Sequence, residues 1–282
     1  VSAPAKITAA LTSALLLASG LPEARLLYER CDFAGALKAL AAEGSKDPEV
    51  LALAGRSHYF LANYKEAVEF LELAARLDDG NASHHLWLGR AYGRRAESAS
   101  FFAAPGYARK ARQHFETAVD LDPNYLEALS DLMEYYIEAP GFLGGGMDKA
   151  AAVAERIAKI DPAEGHNARA RLAEKRRDYP AAERELRRAA ELEPGNVGRW
   201  IDLATFLARR GRFEESEAMF ERASEVAPRS PKLLYARAES YVKSRRNLAE
   251  ARLLLKKYLE LPLTPEDPPR RDAAKLLKQA GG

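Results

Sequence analysis

Five histidines, one cysteine and one run of three glycines are the residues whose types first suggest chemistry in this 282-residue chain. The histidines are His58, His84, His85, His114 and His166. None lies four residues from another, so no H-x-x-x-H or H-E-x-x-H helix face is available to a metal. His84 and His85 are adjacent, and on a helix they point about 100° apart. His58 falls on an apolar stripe and reads as a half-buried histidine. Cys31, being single, supplies neither a disulfide nor a thiolate metal set. There is no G-x-S-x-G nucleophile turn. Gly144-Gly145-Gly146 has no preceding strand pattern and no following G-K-[ST], and Asp148 would repel a phosphate. The run is predicted to be a turn, with Asp148 capping a helix that begins at Lys149. No catalysis, no metal and no cofactor are expected.

Charge is balanced overall, with 43 Lys and Arg against 41 Asp and Glu, so bulk charge directs the chain to neither nucleic acid nor an acidic membrane. A 47% hydrophobic, 30% charged composition excludes a disordered polar chain. At the N-terminus, Lys6 precedes an uncharged apolar stretch, residues 7–17, and the small-residue exit Ala18-Ser19-Gly20. That order reads as a signal peptide over residues 1–20, with export to the periplasm or cell envelope. If the segment is instead an ordinary first helix, a cytoplasmic location follows. No stretch is long enough to span a bilayer.

The elements that must position any binding residues repeat along the chain. Leu-Asp-Pro123, Ile-Asp-Pro162, Leu-Glu-Pro194 and Val-Ala-Pro228 recur at separations of 39, 32 and 34 residues. Between them returns an aromatic-small-large-Ala frame: Tyr64, Ala67, Leu71, Ala74; Tyr179, Ala182, Leu186, Ala189; Phe213, Ser216, Phe220, Ala223. Steps of 3, 4 and 3 place each set on one face of a helix. A second stripe lies upstream, as in Leu88-Gly89…Tyr92 and Trp200…Leu203-Ala204…Leu207. Each unit is therefore two antiparallel amphipathic helices, and the prolines are expected to stop each second helix. Trp87, Trp200 and the frame aromatics read as packing residues.

These residues resemble the tetratricopeptide repeat, W-x2-L-G-x2-Y…A-x3-F…P over 34 residues. The segment 197–230 is the fullest copy, with Trp200, Leu203, Ala204, Leu207, Gly211, Phe213, Phe220, Ala223 and Pro228. The resemblance implies an all-α fold, a right-handed superhelical solenoid of antiparallel helix pairs over residues 21–264. A C-terminal capping helix and tail would fill residues 265–282. One pair alone exposes apolar surface on both sides, so neighbours must cover each other.

The resemblance also implies a non-enzymatic scaffold whose groove, lined by the first helix of each unit, binds protein or peptide. Reading the groove positions gives Arg56, Tyr59, Arg90, Arg94, Asn167, Arg171, Lys175, Arg209 and Lys243, with Glu127, Glu134 and Glu138 forming an acidic middle. Such cations hold peptide carboxylates by charge-assisted hydrogen bonds. The alternative reading is a solvated charged face. Two units carry inserted turns, residues 93–106 and 138–148, expected side by side on one edge. Phe101, Phe102, Phe142 and Leu143 there read as a binding surface or as a hydrophobic plug closing the longer turns. A structural subunit of an envelope assembly, bound through that edge, is one alternative function. Single-stranded RNA binding is another, opposed by the acidic fourth unit, so no nucleic acid partner is expected.

Overall fold

The computed structural model describes residues 20–41 and 46–281, and every described element is helical. The chain divides into two compact units, Val1–Ala128 and Leu129–Gly282, and each is taken by itself. The expected signal peptide lies outside the described residues except for Gly20, which opens the first helix.

The first unit holds α1 (Gly20–Glu29), α2 (Phe33–Ala41), α3 (Pro48–Phe60), α4 (Tyr64–Leu77), α5 (Ala82–Ser98) and α6 (Ala104–Leu121). Next in the chain, α7 (Leu126–Glu138) carries the boundary between the units. The second unit holds a 3-10 turn (Gly141–Leu143), α8 (Met147–Ile160), α9 (Pro162–Lys175), α10 (Tyr179–Leu192), α11 (Val197–Arg209), α12 (Phe213–Val226), α13 (Pro231–Ser244), α14 (Leu248–Glu260) and α15 (Arg270–Gly281). The helices pack as consecutive antiparallel pairs, a tetratricopeptide-like solenoid, and α15 caps the last pair by lying on α14 and α13.

Helix starts follow from short polar caps. Asp47, Asn81, Asp161, Asn196 and Ser230 each accept a backbone N–H in the first turn of α3, α5, α9, α11 and α13. Pro48, Pro162 and Pro231 stand at the opening of α3, α9 and α13, where a missing N–H costs nothing. Pro162, expected to stop a second helix, thus starts the next first helix. Five of the turns inside the pairs hold a left-handed residue at Cys31, Ala62, Arg177, Gly211 or Arg245 in turn, the last of these turns holding a second at Asn247. All but Gly211 carry a side chain in a region that favours glycine.

Burial shows why pairs stack. One core cluster joins Ala24 of α1, Ala36 and Leu40 of α2, and Val50, Leu53 and Ala54 of α3. Another joins Ala170 of α9, Ala182 and Leu186 of α10, and Leu203 and Phe206 of α11. A third joins Ile201 and Ala204 of α11, Phe220 and Ala223 of α12, and Leu233 of α13. Each cluster takes side chains from one pair and from the first helix of the next, so no pair closes its core alone. Close approach is specified by size: a Cβ on Gly89 would lie 2.6 Å from the Phe115 ring.

Candidate functional site

The first helices of the first unit carry an aromatic and arginine face. Tyr59 and Phe60, at the C-terminus of α3, meet Trp87, in the second turn of α5, at ring-centroid distances of 5.6 and 5.7 Å. Phe60 stacks on Phe33 at 4.6 Å, Tyr28 meets both, and Tyr59 meets Tyr64 at 5.7 Å. Three guanidiniums lie on these rings. Arg56 and Arg90 sit 5.4 and 4.8 Å from the Trp87 centroid, and Arg94 sits 5.3 Å from that of Tyr64. Arg56 Nη2 donates to Ser83 Oγ at 2.8 Å, Arg90 Nη2 to Glu127 Oε2 at 3.1 Å, and Arg94 Nε to the Tyr64 hydroxyl at 3.2 Å. Burial pushes the Tyr28 hydroxyl above its ordinary range, and Arg56 and Arg90 oppose that shift. Arg56, Tyr59, Arg90 and Arg94 therefore do come together. Trp87, read from sequence as plain packing, is half-buried and forms the platform beneath two of them.

In the second unit the expected groove cations meet carboxylates of the neighbouring first helix. Arg171 pairs with Glu134, and Lys175 Nζ donates to Glu138 Oε2 at 2.9 Å. Arg209 Nη2 reaches both oxygens of Glu174 at 2.7 and 2.8 Å. Asn167 Nδ2 donates to Asp202 Oδ2 at 2.8 Å, and burial holds the Asp202 carboxyl above the usual carboxylate range. Lys243 pairs with Glu239 on its own helix at 3.0 Å. The acidic residues expected as a separate middle are the partners of the cations: Glu127 of Arg90, Glu134 of Arg171, Glu138 of Lys175. Partners on successive first helices are 35 or 37 residues apart, one repeat length. That spacing is the signal that would have found them in the sequence.

Among the described residues no group of three His, Cys, Asp or Glu is placed to hold a metal ion. His85 Nε2 donates to the Asp79 carbonyl at 3.0 Å, so its Nδ1 accepts from His114 Nδ1–H at 3.1 Å. His114 also stacks on Tyr92, 5.7 Å between centroids, while Lys110 Nζ donates to the Tyr92 hydroxyl at 2.8 Å. Burial and the neighbouring His85 lower the His114 pKa to about 4. His58, as expected, is half-buried; it stacks on Phe70, and its pKa is lowered by burial.

The inserted turns correct two expectations. The glycine run is a turn, but α8 begins at Met147 with Gly146 at its cap, so Asp148 stands in the first turn and caps nothing. The amides of the run serve carbonyls: Gly144 N–H to Gly141 at 2.8 Å, Gly145 N–H to Pro140 at 3.2 Å, Gly146 N–H to Tyr136 at 2.9 Å. None of the three amides is left to cradle an anion. Nor do the insertion aromatics form a plug. Phe101 and Phe102 are 86% and 92% exposed, Phe142 is 74% exposed, and Leu143 is half-buried. Phe101 and Phe102 touch each other edge to face at 5.7 Å. The expected juxtaposition with Phe142 and Leu143 is not described, because each insertion belongs to its own compact unit.

Residues 48–81 and 173–240 match models of the tetratricopeptide repeat. No curated protein matches the chain. A tetratricopeptide repeat protein from Parabacteroides merdae is 16% identical over 95% of this chain and 100% of its own, with a TM-score of 0.59. A thermophilic TPR protein of Thermus thermophilus is 21% identical over 68% of this chain and 98% of its own, with a TM-score of 0.55. At these identities the likeness extends to the fold alone.

Proposed function

The chain belongs to the tetratricopeptide repeat family, typically protein-interaction scaffolds and generally non-catalytic, and from that premise we propose that it is a non-enzymatic scaffold binding acidic peptide segments on the aromatic–arginine face of its first unit. One observation carries the choice of face. In the second unit, Arg171, Lys175 and Arg209 meet carboxylates one repeat away, whereas in the first unit Arg56, Arg90 and Arg94 each lie on the ring of Trp87 or Tyr64; Arg90 and Arg94 also pair with Glu127 and Glu97, and Arg56 donates to the Ser83 hydroxyl. A guanidinium stacked on a ring keeps its N–H edge for a carboxylate, and the ring holds it in place without neutralising it. Arg90 already shows the mode, holding the Glu127 carboxylate in its own chain. An incoming acidic side chain would be held by Arg56 and would compete with Glu127 for Arg90 and with Glu97 for Arg94. Its apolar neighbours would lie on Tyr59 and Trp87.

An array of acidic and neutral peptides probed with the purified full chain tests this. Retention is expected on acidic peptides. It should fall at least tenfold in Arg56→Glu/Arg90→Glu and stay in Arg171→Glu/Lys175→Glu. Equal retention by all three proteins contradicts the reading. The same face would suit single-stranded RNA, which Glu127 opposes; a poly-U arm that outcompetes every peptide would favour that alternative.

Export belongs to the proposal. It is supported by Lys6, the uncharged residues 7–17 and Ala18-Ser19-Gly20. N-terminal sequencing of the protein recovered from fractionated cells tests it, and an intact leader on a cytosolic chain contradicts it.

A further inference from the structure

The turn between α5 and α6 is closed by its backbone. The Ser100 carbonyl accepts from the amides of Ala103 and Ala104, both at 2.9 Å, and the Ala103 carbonyl then accepts from Gly106 at 3.1 Å. Phe101 and Phe102 are the two residues at the crest of that turn. Neither ring closes it, since they are 86% and 92% exposed and their one ring contact is with each other. Large apolar side chains held this far into water by an ordered turn are placed for something that covers them.

The cations beside the crest indicate what does. Residues 90–112 contain six Lys or Arg and one Glu, in a chain of formal net charge +2. Arg90, Arg94, Lys110 and Arg112 are matched to carboxylates. Arg95, in the last turn of α5, meets the Tyr107 hydroxyl and ring, and Arg109 is exposed on the second turn of α6. Among the described residues neither is paired with a carboxylate. In the sequence the two rings thus lie between two cations, Arg95 and Arg109, that no carboxylate among the described residues matches. The crest is a protruding wedge and not a groove, so an occupant must yield around it.

We propose that this crest docks on an anionic lipid surface, with Phe101 and Phe102 entering the interface and Arg95 and Arg109 meeting headgroup phosphates. Pre-ordering by the Ser100 and Ala103 carbonyls leaves little entropy to lose on docking. A neutral bilayer would offer the rings a site and the cations none, and a soluble acidic protein would need a preformed pocket for two adjacent rings. None of the described helices is long and apolar enough to cross a membrane, so this contact is peripheral.

Sedimentation of the full chain with vesicles of phosphatidylglycerol and phosphatidylcholine, against phosphatidylcholine alone, tests it. The wild-type chain is expected to sediment with the anionic vesicles and to be released by salt. Phe101→Ser/Phe102→Ser should weaken that partition at least tenfold with an unchanged helical spectrum, because the rings support no fold contact. Arg95→Glu/Arg109→Glu should remove the preference for anionic vesicles. In Phe102→Trp/Trp87→Phe/Trp200→Phe, the sole indole stands at the crest, and its emission should shift to the blue on adding anionic vesicles. A wild-type chain left in the supernatant, partition of Phe101→Ser/Phe102→Ser equal to that of the wild type, or unshifted emission from the crest indole would overturn the proposal.

Discussion

Part of the acid destabilisation of the first unit should come from one side chain, His114. Its ring is half-buried, stacked on Tyr92, and its Nδ1–H is spent on His85. Burial first, then His85, lowers its pKa from 6.5 to about 4, with Glu72 opposing and Lys110 adding a little. Between those two values the unfolded chain binds a proton that the folded chain does not. Stability from this group is therefore complete above pH 6.5, falls as the pH drops, and levels off below about 4. At about 1.4 kcal/mol per pH unit the ceiling is about 3 kcal/mol. Partial solvent screening of the half-exposed ring reduces that to about 1–2 kcal/mol. His114→Asn keeps a donor where Nδ1–H stood and cannot titrate. Urea unfolding of both proteins, followed by circular dichroism at about pH 7 and about pH 4.5, isolates the effect, because every other acid-sensitive group is common to both. The wild-type chain should lose about 1–2 kcal/mol more than the variant over that interval. Parallel losses would refute the reasoning.

Three stability predictions follow from the helix pairs. Gly89→Ala sets a Cβ 2.6 Å from the Phe115 ring and 3.2 Å from the Ala111 carbonyl, and overpacking of this kind costs about 1–3 kcal/mol; an unchanged Tm would contradict the close approach of α5 and α6. Ala62→Gly relieves a left-handed residue at φ 63° and should stabilise by roughly 0.5–1 kcal/mol, the strain removed being partly offset by the more flexible unfolded chain. Arg199, 8% exposed at its side chain, donates to Glu164 at 2.6 Å and Glu193 at 2.7 Å, so Arg199→Ala strands two carboxylates and should cost about 3 kcal/mol. Thermal denaturation of each variant against the wild-type chain measures all three.

The pairs were legible because apolar residues repeat at helical spacing and prolines recur where helices meet: Tyr64, Ala67, Leu71 and Ala74 lie along α4, and Phe213, Ser216, Phe220 and Ala223 along α12. What the sequence hid is pairing across repeats. Arg171 and Lys175 read as free groove cations when their unit is considered alone; only the one-repeat spacing to Glu134 and Glu138 discloses that they are matched. Trp87 fits the packing stripe, and nothing in its own segment shows that Arg56, one repeat earlier, will lie on its ring. The left-handed turn residues are hidden for a different reason. Glycine marks that conformation at Gly211, but Ala62, Arg177 and Arg245 adopt it because the helices on either side fix the path between them. Exposure of Phe101 and Phe102 was not legible either, since aromatic residues in a longer turn fit a closing plug as well as a binding surface until the backbone is seen to close the turn.

The face assigned to partner binding can be watched from inside it. Trp87 is one of two tryptophans, so Trp200→Phe leaves it as the sole indole reporter beneath Arg56 and Arg90. Titrating that variant with an acidic peptide retained on the array should change Trp87 emission saturably. The midpoint should rise with salt and the change should vanish in Arg56→Glu/Arg90→Glu. A peptide that binds with Trp87 emission unmoved would contradict the assignment.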